Sequence, residues 1–290
     1  MIKELAINIS GRPIKKHCRL GLGVFDGFHL GHKKLADRCD ALLTFSPHPS
    51  YILSKKKTFK MLSTLRERRK LYSNLYVLGF SKVIANLTPD QFLDDIIWEY
   101  FQPKSIVVGY DFRFGSGGMG NSQFIKTWAL KRNIEFQEVP AFSIDSQIVK
   151  SSLVRDSLLK GQFDKAITLM GHSYLISGKV IQGDGQGKRL GFPTANLQLP
   201  TYKLIPKEGV YIGSLTLVGK TYMSLVSIGF KPTFDGDALH VEVYIEGFDG
   251  DLYGKYITIY LQKFLRNQLK FQSKKELVSQ LEIDRLTIKL

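Results

Sequence analysis

The stretch LGVFDGFHLGHKKL, residues 22–35, decides the fold of the first half of the chain. It reads as the end of an apolar strand, a glycine-rich turn, and a helix that starts near Gly31. Glycines at 23, 27 and 31 let backbone approach a ligand closely. A helix N-terminus offers unpaired N–H groups and the positive end of its dipole, so the turn is suited to an anion. His29 and His32, three residues apart, can face one side and donate to phosphoryl oxygens. On spacing alone the H-x-x-H pair also fits a metal ligand, although no zinc-protease or zinc-finger pattern surrounds it.

Working outward, short apolar runs alternate with helical spacing as far as about residue 170. LGLGVF, ALLTFSP, SKVIANL and SIVVGYDF read as strands. LRERRKLYSNLYVLG, PDQFLDDIIWEYF and NSQFIKTWALKR carry the helical period. Such alternation implies a parallel sheet covered on both faces. The pattern then changes. YLISGKVIQG, TANLQL, GVYIGSLTLVG, KTYMSLVSIGF, LHVEVYIEGF and KYITIYLQKF are β-branched, aromatic runs punctuated by Gly, Asp and Pro. They predict an antiparallel barrel, followed by one terminal helix that opens after Ser273. The expected domains are 1–172 and 173–290, with SSLVRDSLLKGQFDKAITLM as a helical pair closing the first.

Composition narrows the function. The chain has 290 residues, two cysteines and a formal net charge of +15. Cys18 and Cys39 are too few for a disulfide framework and imply a reducing, cytoplasmic setting. No apolar run is long enough for a membrane span, and no secretory leader is evident at the start. The positive charge is concentrated before His172, in runs such as SKKKTFK (54–60) and RERRK (66–70). Such runs are ordinarily solvated faces. A nucleic-acid-binding protein is the alternative class that the charge suggests, although no recognised reading module is present. GSGGMG, 115–120, matches the dinucleotide pattern G-x-G-x-x-G, but that fingerprint should follow an early strand, whereas this one comes late and is already the end of DFRFGSGGMG.

GVFDGFHLGH (23–32), TFSPHP (44–49), VVGYDFRFG (107–115) and VKSSLVR (149–155) resemble motifs of the prokaryotic bifunctional riboflavin kinase/FAD synthetase family. GKVIQGDGQGKRLGFPTANL (178–197) is similar to that family's flavokinase signature, G-x-G-R-x-L-G-F-P-T-A-N, and is not a Walker A loop. The resemblance covers essentially the whole chain. It implies a nucleotidyltransferase-type, Rossmann-like α/β domain followed by a riboflavin-kinase-type barrel. It implies phosphorylation of riboflavin to FMN and adenylylation of FMN to FAD, with ATP, riboflavin and FMN as small-molecule partners and Mg²⁺ as cofactor. Neither a nucleic acid nor a membrane is an expected partner.

The same resemblance implies roles for individual residues. His29 and His32 would assist adenylyl transfer, with Gly23, Phe25, Asp26 and Gly31 at the nucleotide. Ser151, Ser152 and Arg155 would hold the leaving pyrophosphate. Phe45, Pro47, Asp111, Phe112 and Phe114 would cradle the flavin ring. In the barrel, Gly183, Gly185, Gly187 and Lys188 would close over ATP. Thr194 and Asn196, two apart on a strand and so on one face, would ligate Mg²⁺. Glu242 would be the base that accepts the riboflavin 5′-hydroxyl proton, and Arg266 would lie near the flavin. The chain departs from the family at Gly118, where a basic residue is usual, and at Lys188, where arginine is usual. A kinase whose first domain only binds nucleotide or flavin is therefore the second reading.

Overall fold

A computed structural model describes residues 8–11, 13–53, 59–183, 185–233 and 236–288. Most of the basic run 54–60 thus lies outside the described residues. Contacts divide the chain into two compact units, Met1–Ser151 and Ser152–Leu290.

The first unit is built on a six-stranded sheet in the order Ile9–Ser10, Leu75–Gly79, Ala41–Ser46, Arg19–Leu22, Ser105–Gly109, Glu135–Val139. Every pairing is parallel except that of the Ile9–Ser10 edge. Central strands that are covered on both faces have no polar side to alternate with, which is why Leu20, Leu42, Leu43, Val107 and Val108 are all buried. The strand order reverses around Arg19–Leu22, flanked by Ala41–Ser46 and Ser105–Gly109. The crevice beyond the carboxyl ends of strands at such a point is where open α/β sheets bind ligands.

Two sequence expectations need correction here. The run 65–79, read as one helix, is a helix at Leu65–Leu71 and then a strand at Leu75–Gly79. Tyr72 leaves the helix in an extended conformation, and Leu75 to Leu78 are buried throughout, an apolar run that periodicity alone does not assign. The run 81–87, read as a strand, holds the short helix Lys82–Ala85. Ser81 caps it by accepting from Ile84 N–H. The helix expected over 89–101 starts as an α-turn, Pro89–Gln91, and continues as a π-helix, Phe92–Phe101.

In the second unit six antiparallel strands close into a barrel, ordered Thr194–Gln198, Gly236–Ile245, Lys220–Thr233, Gly209–Leu217, Tyr256–Arg266, Tyr174–Ile181. Closure leaves no sheet edge exposed. Val241, Val243 and Ile245 are buried, while Glu242, Tyr244 and Glu246 on the opposite face are half-buried. The helix Phe163–Met170, placed by the sequence reading in the first domain, packs on the barrel, with Phe163 edge-on to Tyr211 at 5.0 Å. The terminal helix, Lys274–Leu286, is capped by Ser273.

Candidate active sites

The first unit holds a cavity of about 550 Å³ at the reversal of strand order, walled by Leu22 to Phe25 on one side and by residues after Gly109 on the other. Gly23, Phe25, His32, Phe45, Asp111, Phe112 and Phe114 line it, seven of the fourteen residues singled out by sequence for this site, whereas His29 and Gly31 are not part of its lining. Phe45 and Phe114 belong to the hydrophobic core, and Phe114 packs 5.3 Å from Phe92. Phe112, stacked on Phe114 at 5.7 Å and only half-buried, is the ring with a face left to offer. Pro47 is exposed, follows a cis peptide, and does not line the cavity.

His29 is the N-cap of the Leu30–Ala36 helix, and its Nδ1 accepts from His32 N–H at 3.3 Å. That bond leaves the proton of a neutral His29 ring on Nε2, an orientation suited to donation. The two imidazoles stack at 3.7 Å, and Phe25 meets His32 edge-on at 5.4 Å. A Cβ on Gly31 would come within 3.1 Å of His29 Cε1, a tight contact that a larger residue would relieve by shifting the ring by a few tenths of an ångström. Burial, then His29, then Arg68 push the His32 imidazole well below its usual value, so it is neutral at physiological pH.

Asp26 takes a different part from the one expected. It is 2% exposed, and its carboxylate accepts from Leu62 N–H, Ser63 N–H and the Ser63 hydroxyl. Its side chain therefore anchors the 61–64 segment and does not line the cavity. The Ser151 hydroxyl donates to the Asp26 carbonyl at 2.8 Å, tying that serine to the histidine turn. Ser152 and Arg155 lie on the Ser151–Leu159 helix and belong to the second compact unit. The GSGGMG loop closes on itself through hydrogen bonds between Phe114 and Gly120, and the helix that follows is capped by Asn121, so it is not a dinucleotide turn.

In the barrel, strand register does the assembly. Thr194 pairs with Tyr244 and Asn196 with Glu242, which sets the flavokinase signature directly against the candidate base. Thr194 Oγ1 donates to Glu242 Oε2 at 3.3 Å. Both signature side chains face the glycine segment. A Cβ on Gly183 would fall 2.1 Å from Asn196 Nδ2, and one on Gly187 would fall 3.1 Å from Thr194 Oγ1 and 2.3 Å from the Phe192 carbonyl. Gly185 is left-handed, and Lys188 is exposed on the short helix Gln186–Arg189 that follows. A neighbouring cavity of about 200 Å³ is lined by Thr194, Glu242, Tyr244 and Arg266. Arg266 is not free to turn to a ligand, because it donates to both oxygens of Asp284 at 2.6 to 3.1 Å.

Two lining residues were not singled out from the sequence. His48 lines the first cavity, its Nδ1 accepting from Ser50 N–H at 3.1 Å, and the unused signal was its place inside TFSPHP. Tyr244 lines the second cavity and donates to Glu246, which also accepts from Arg285 of the terminal helix. Burial and that bond push the Tyr244 phenol up to about 12. Among the described residues no cluster of three or more His, Cys, Asp or Glu is placed to hold a metal ion.

The FAD synthetase family model matches residues 12–153, and the riboflavin kinase family model matches residues 170–289. Proteins named bifunctional riboflavin kinase/FMN adenylyltransferase are similar over nearly the full length. The one from Listeria monocytogenes is 34% identical over 91% of this chain and 89% of its own. That from Bacillus subtilis is 34% identical over 92% and 90%, and that from Escherichia coli 32% identical over 97% and 94%. A crystal structure titled as a macrolide-efflux protein from Streptococcus pneumoniae superposes with a TM-score of 0.82 at 29% identity, covering 96% of this chain and 95% of that one. No helix among the described residues is long and apolar enough to cross a membrane.

Proposed function

The chain belongs to the bifunctional riboflavin kinase/FMN adenylyltransferase family, and from that premise we propose that its two units act in turn, the barrel making FMN and the α/β unit converting FMN to FAD. The observation that carries this reading is that each unit has its own cavity, and that each cavity gathers a different family motif.

In the barrel, the riboflavin 5′-hydroxyl oxygen attacks the γ-phosphorus of ATP, the bond to the β-phosphate oxygen breaks, and ADP leaves. Glu242 takes the hydroxyl proton, with Thr194 orienting its carboxylate. Gly183, Gly185 and Gly187 let backbone come close to the phosphates, and Lys188 offers them a positive charge. Thr194 and Asn196 present oxygens that suit Mg²⁺, a hard cation that keeps several waters and needs few protein ligands beside substrate phosphates. The cradle between those side chains and Gly183 and Gly187 is one that a Cβ would fill, which supports the fit. Mg²⁺ bound there would neutralise charge on the transferring phosphates.

In the α/β unit, an FMN phosphate oxygen attacks the α-phosphorus of ATP and pyrophosphate leaves. No proton has to be removed from the nucleophile, so the site must align two polyanions and offset their charge. His29, with its proton on Nε2, donates to a phosphoryl oxygen, and neutral His32, stacked on it, lines the cavity. Phe112 offers a face to the flavin, while Phe45 and Phe114 form the floor beneath. The net charge of +15 steers such polyanionic substrates, in a cytoplasmic setting and without a nucleic-acid partner.

The test is to incubate the purified chain with riboflavin, ATP and Mg²⁺ and to separate the products. FMN followed by FAD is expected. FMN that never proceeds to FAD would leave the second reading, a kinase with an inert first unit.

A further inference from the structure

The basic run RERRK reads in sequence as a solvated face, yet Arg68 in its middle is 1% exposed. A guanidinium is costly to bury unless its donors are engaged. Here Nη1 donates to the Val24 carbonyl at 2.7 Å and to the Thr44 hydroxyl at 2.6 Å. Both terminal nitrogens also reach the Phe45 carbonyl at 3.5 Å. Thr44 in turn donates to the Val24 carbonyl at 2.7 Å. Val24 leads into the histidine turn, and Phe45 leads into the TFSPHP loop; both line the same cavity. One side chain from the Leu65–Leu71 helix therefore fastens two of the cavity's walls.

We propose that Arg68 is a positioning residue for adenylyl transfer, tying the histidine turn to the TFSPHP loop. The inference rests on the first unit being the one that makes FAD. Support comes from His32, on which three influences act: its own burial, His29 across the stack, and Arg68 from the neighbouring helix. The aromatic rings of Phe25 and Phe28 that pack on His32 carry no charge. A neutral side chain at position 68 would thus loosen the two turns and also remove a repulsion that keeps the proton off His32. Lysine would keep the charge and lose the planar fork.

The experiment compares the full-length wild type with Arg68→Met and Arg68→Lys. FAD formation from supplied FMN and ATP is followed across pH, with riboflavin phosphorylation measured in the same preparations. R68M is expected to lower kcat for FAD formation about a hundredfold, as misplacement of reacting groups does, and to move the acid limb of the profile to higher pH. R68K is expected to return the limb to the wild-type position while recovering only part of kcat. FMN formation should be unchanged in both. An R68M enzyme with wild-type kcat and an unmoved limb overturns the proposal, as does an R68K limb displaced as far as that of R68M. If R68M lacks the cooperative melting of the wild type, R68K decides: a reduced kcat with an unmoved limb supports the role, and an unchanged kcat or a displaced limb rejects it. A wild-type chain that makes no FAD contradicts the underlying function and not the role of Arg68.

Discussion

The rings of His29 and His32 lie face to face, 3.7 Å apart and 18° from parallel. Two imidazolium cations repel strongly at that distance in a buried site, so the pair holds at most one proton at neutral pH. The hydrogen bond from His32 N–H to His29 Nδ1 then fixes the proton of a neutral His29 ring on Nε2, while His32 is the member of the pair that lines the cavity.

Replacing His29 by alanine removes that donor. FAD formation from supplied FMN should fall by about a hundredfold or more, the usual cost of losing a preorganised donor to developing charge. Riboflavin phosphorylation by the same preparation should be unaffected. A matching loss of both products would mean that the two activities are not separated as described.

Glu242→Gln keeps the shape of the side chain and removes its basicity. FMN formation should drop by roughly a hundredfold or more, in the range of a lost general base, while FAD formation from added FMN stays at the wild-type rate. An E242Q enzyme that phosphorylates riboflavin normally would remove Glu242 from the chemistry.

His32 gives the first unit a stability that depends on pH. Its folded value lies well below the ordinary 6.5, so above about pH 6.5 the ring is neutral whether or not the chain is folded. As pH falls through the unfolded value the unfolded chain takes up the proton first, and stability is lost until the folded value is passed. Melting of the first unit should therefore be level above about pH 6.5 and decline on acidification, with a shallower decline in His32→Asn. Equal declines in the wild type and H32N would assign the effect to other groups.

Asp284 and Arg266 form an ion pair in which the carboxylate is nearly inaccessible and the guanidinium borders the kinase cavity. Asp284→Asn leaves a buried cation without its anion, and denaturant unfolding of the barrel should show a loss of about 3 kcal/mol. Because Arg266 is then unanchored, KM for riboflavin should rise as well. An unchanged unfolding midpoint together with an unchanged KM would show that the pair holds nothing in place.

Much of this was legible in the chain because the governing patterns are local. Strand and helix alternate before residue 170, and the later strands alternate buried with half-buried residues, as at 241–246. The errors arose where local patterns are silent. Leu75 to Leu78 are buried on both faces of a parallel sheet, and such a run has no period to separate strand from helix. The motif residues were found, but sequence does not say which way a motif side chain turns. Asp26 turns to Leu62 and Ser63, Arg266 turns to Asp284, and Phe114 turns into the core. Arg68 is the reverse case, since its burial depends on acceptors 23 to 44 residues away.

The most direct measurement follows both phosphates into one product. The wild-type chain would be given riboflavin, Mg²⁺ and a mixture of ATP labelled at the γ-phosphorus with one isotope and at the α-phosphorus with another. Two sites acting in turn predict that γ-label appears first in FMN and that FAD then carries both labels in equal amounts. FAD lacking either label, or γ-labelled FMN that accumulates without any FAD, would contradict the account.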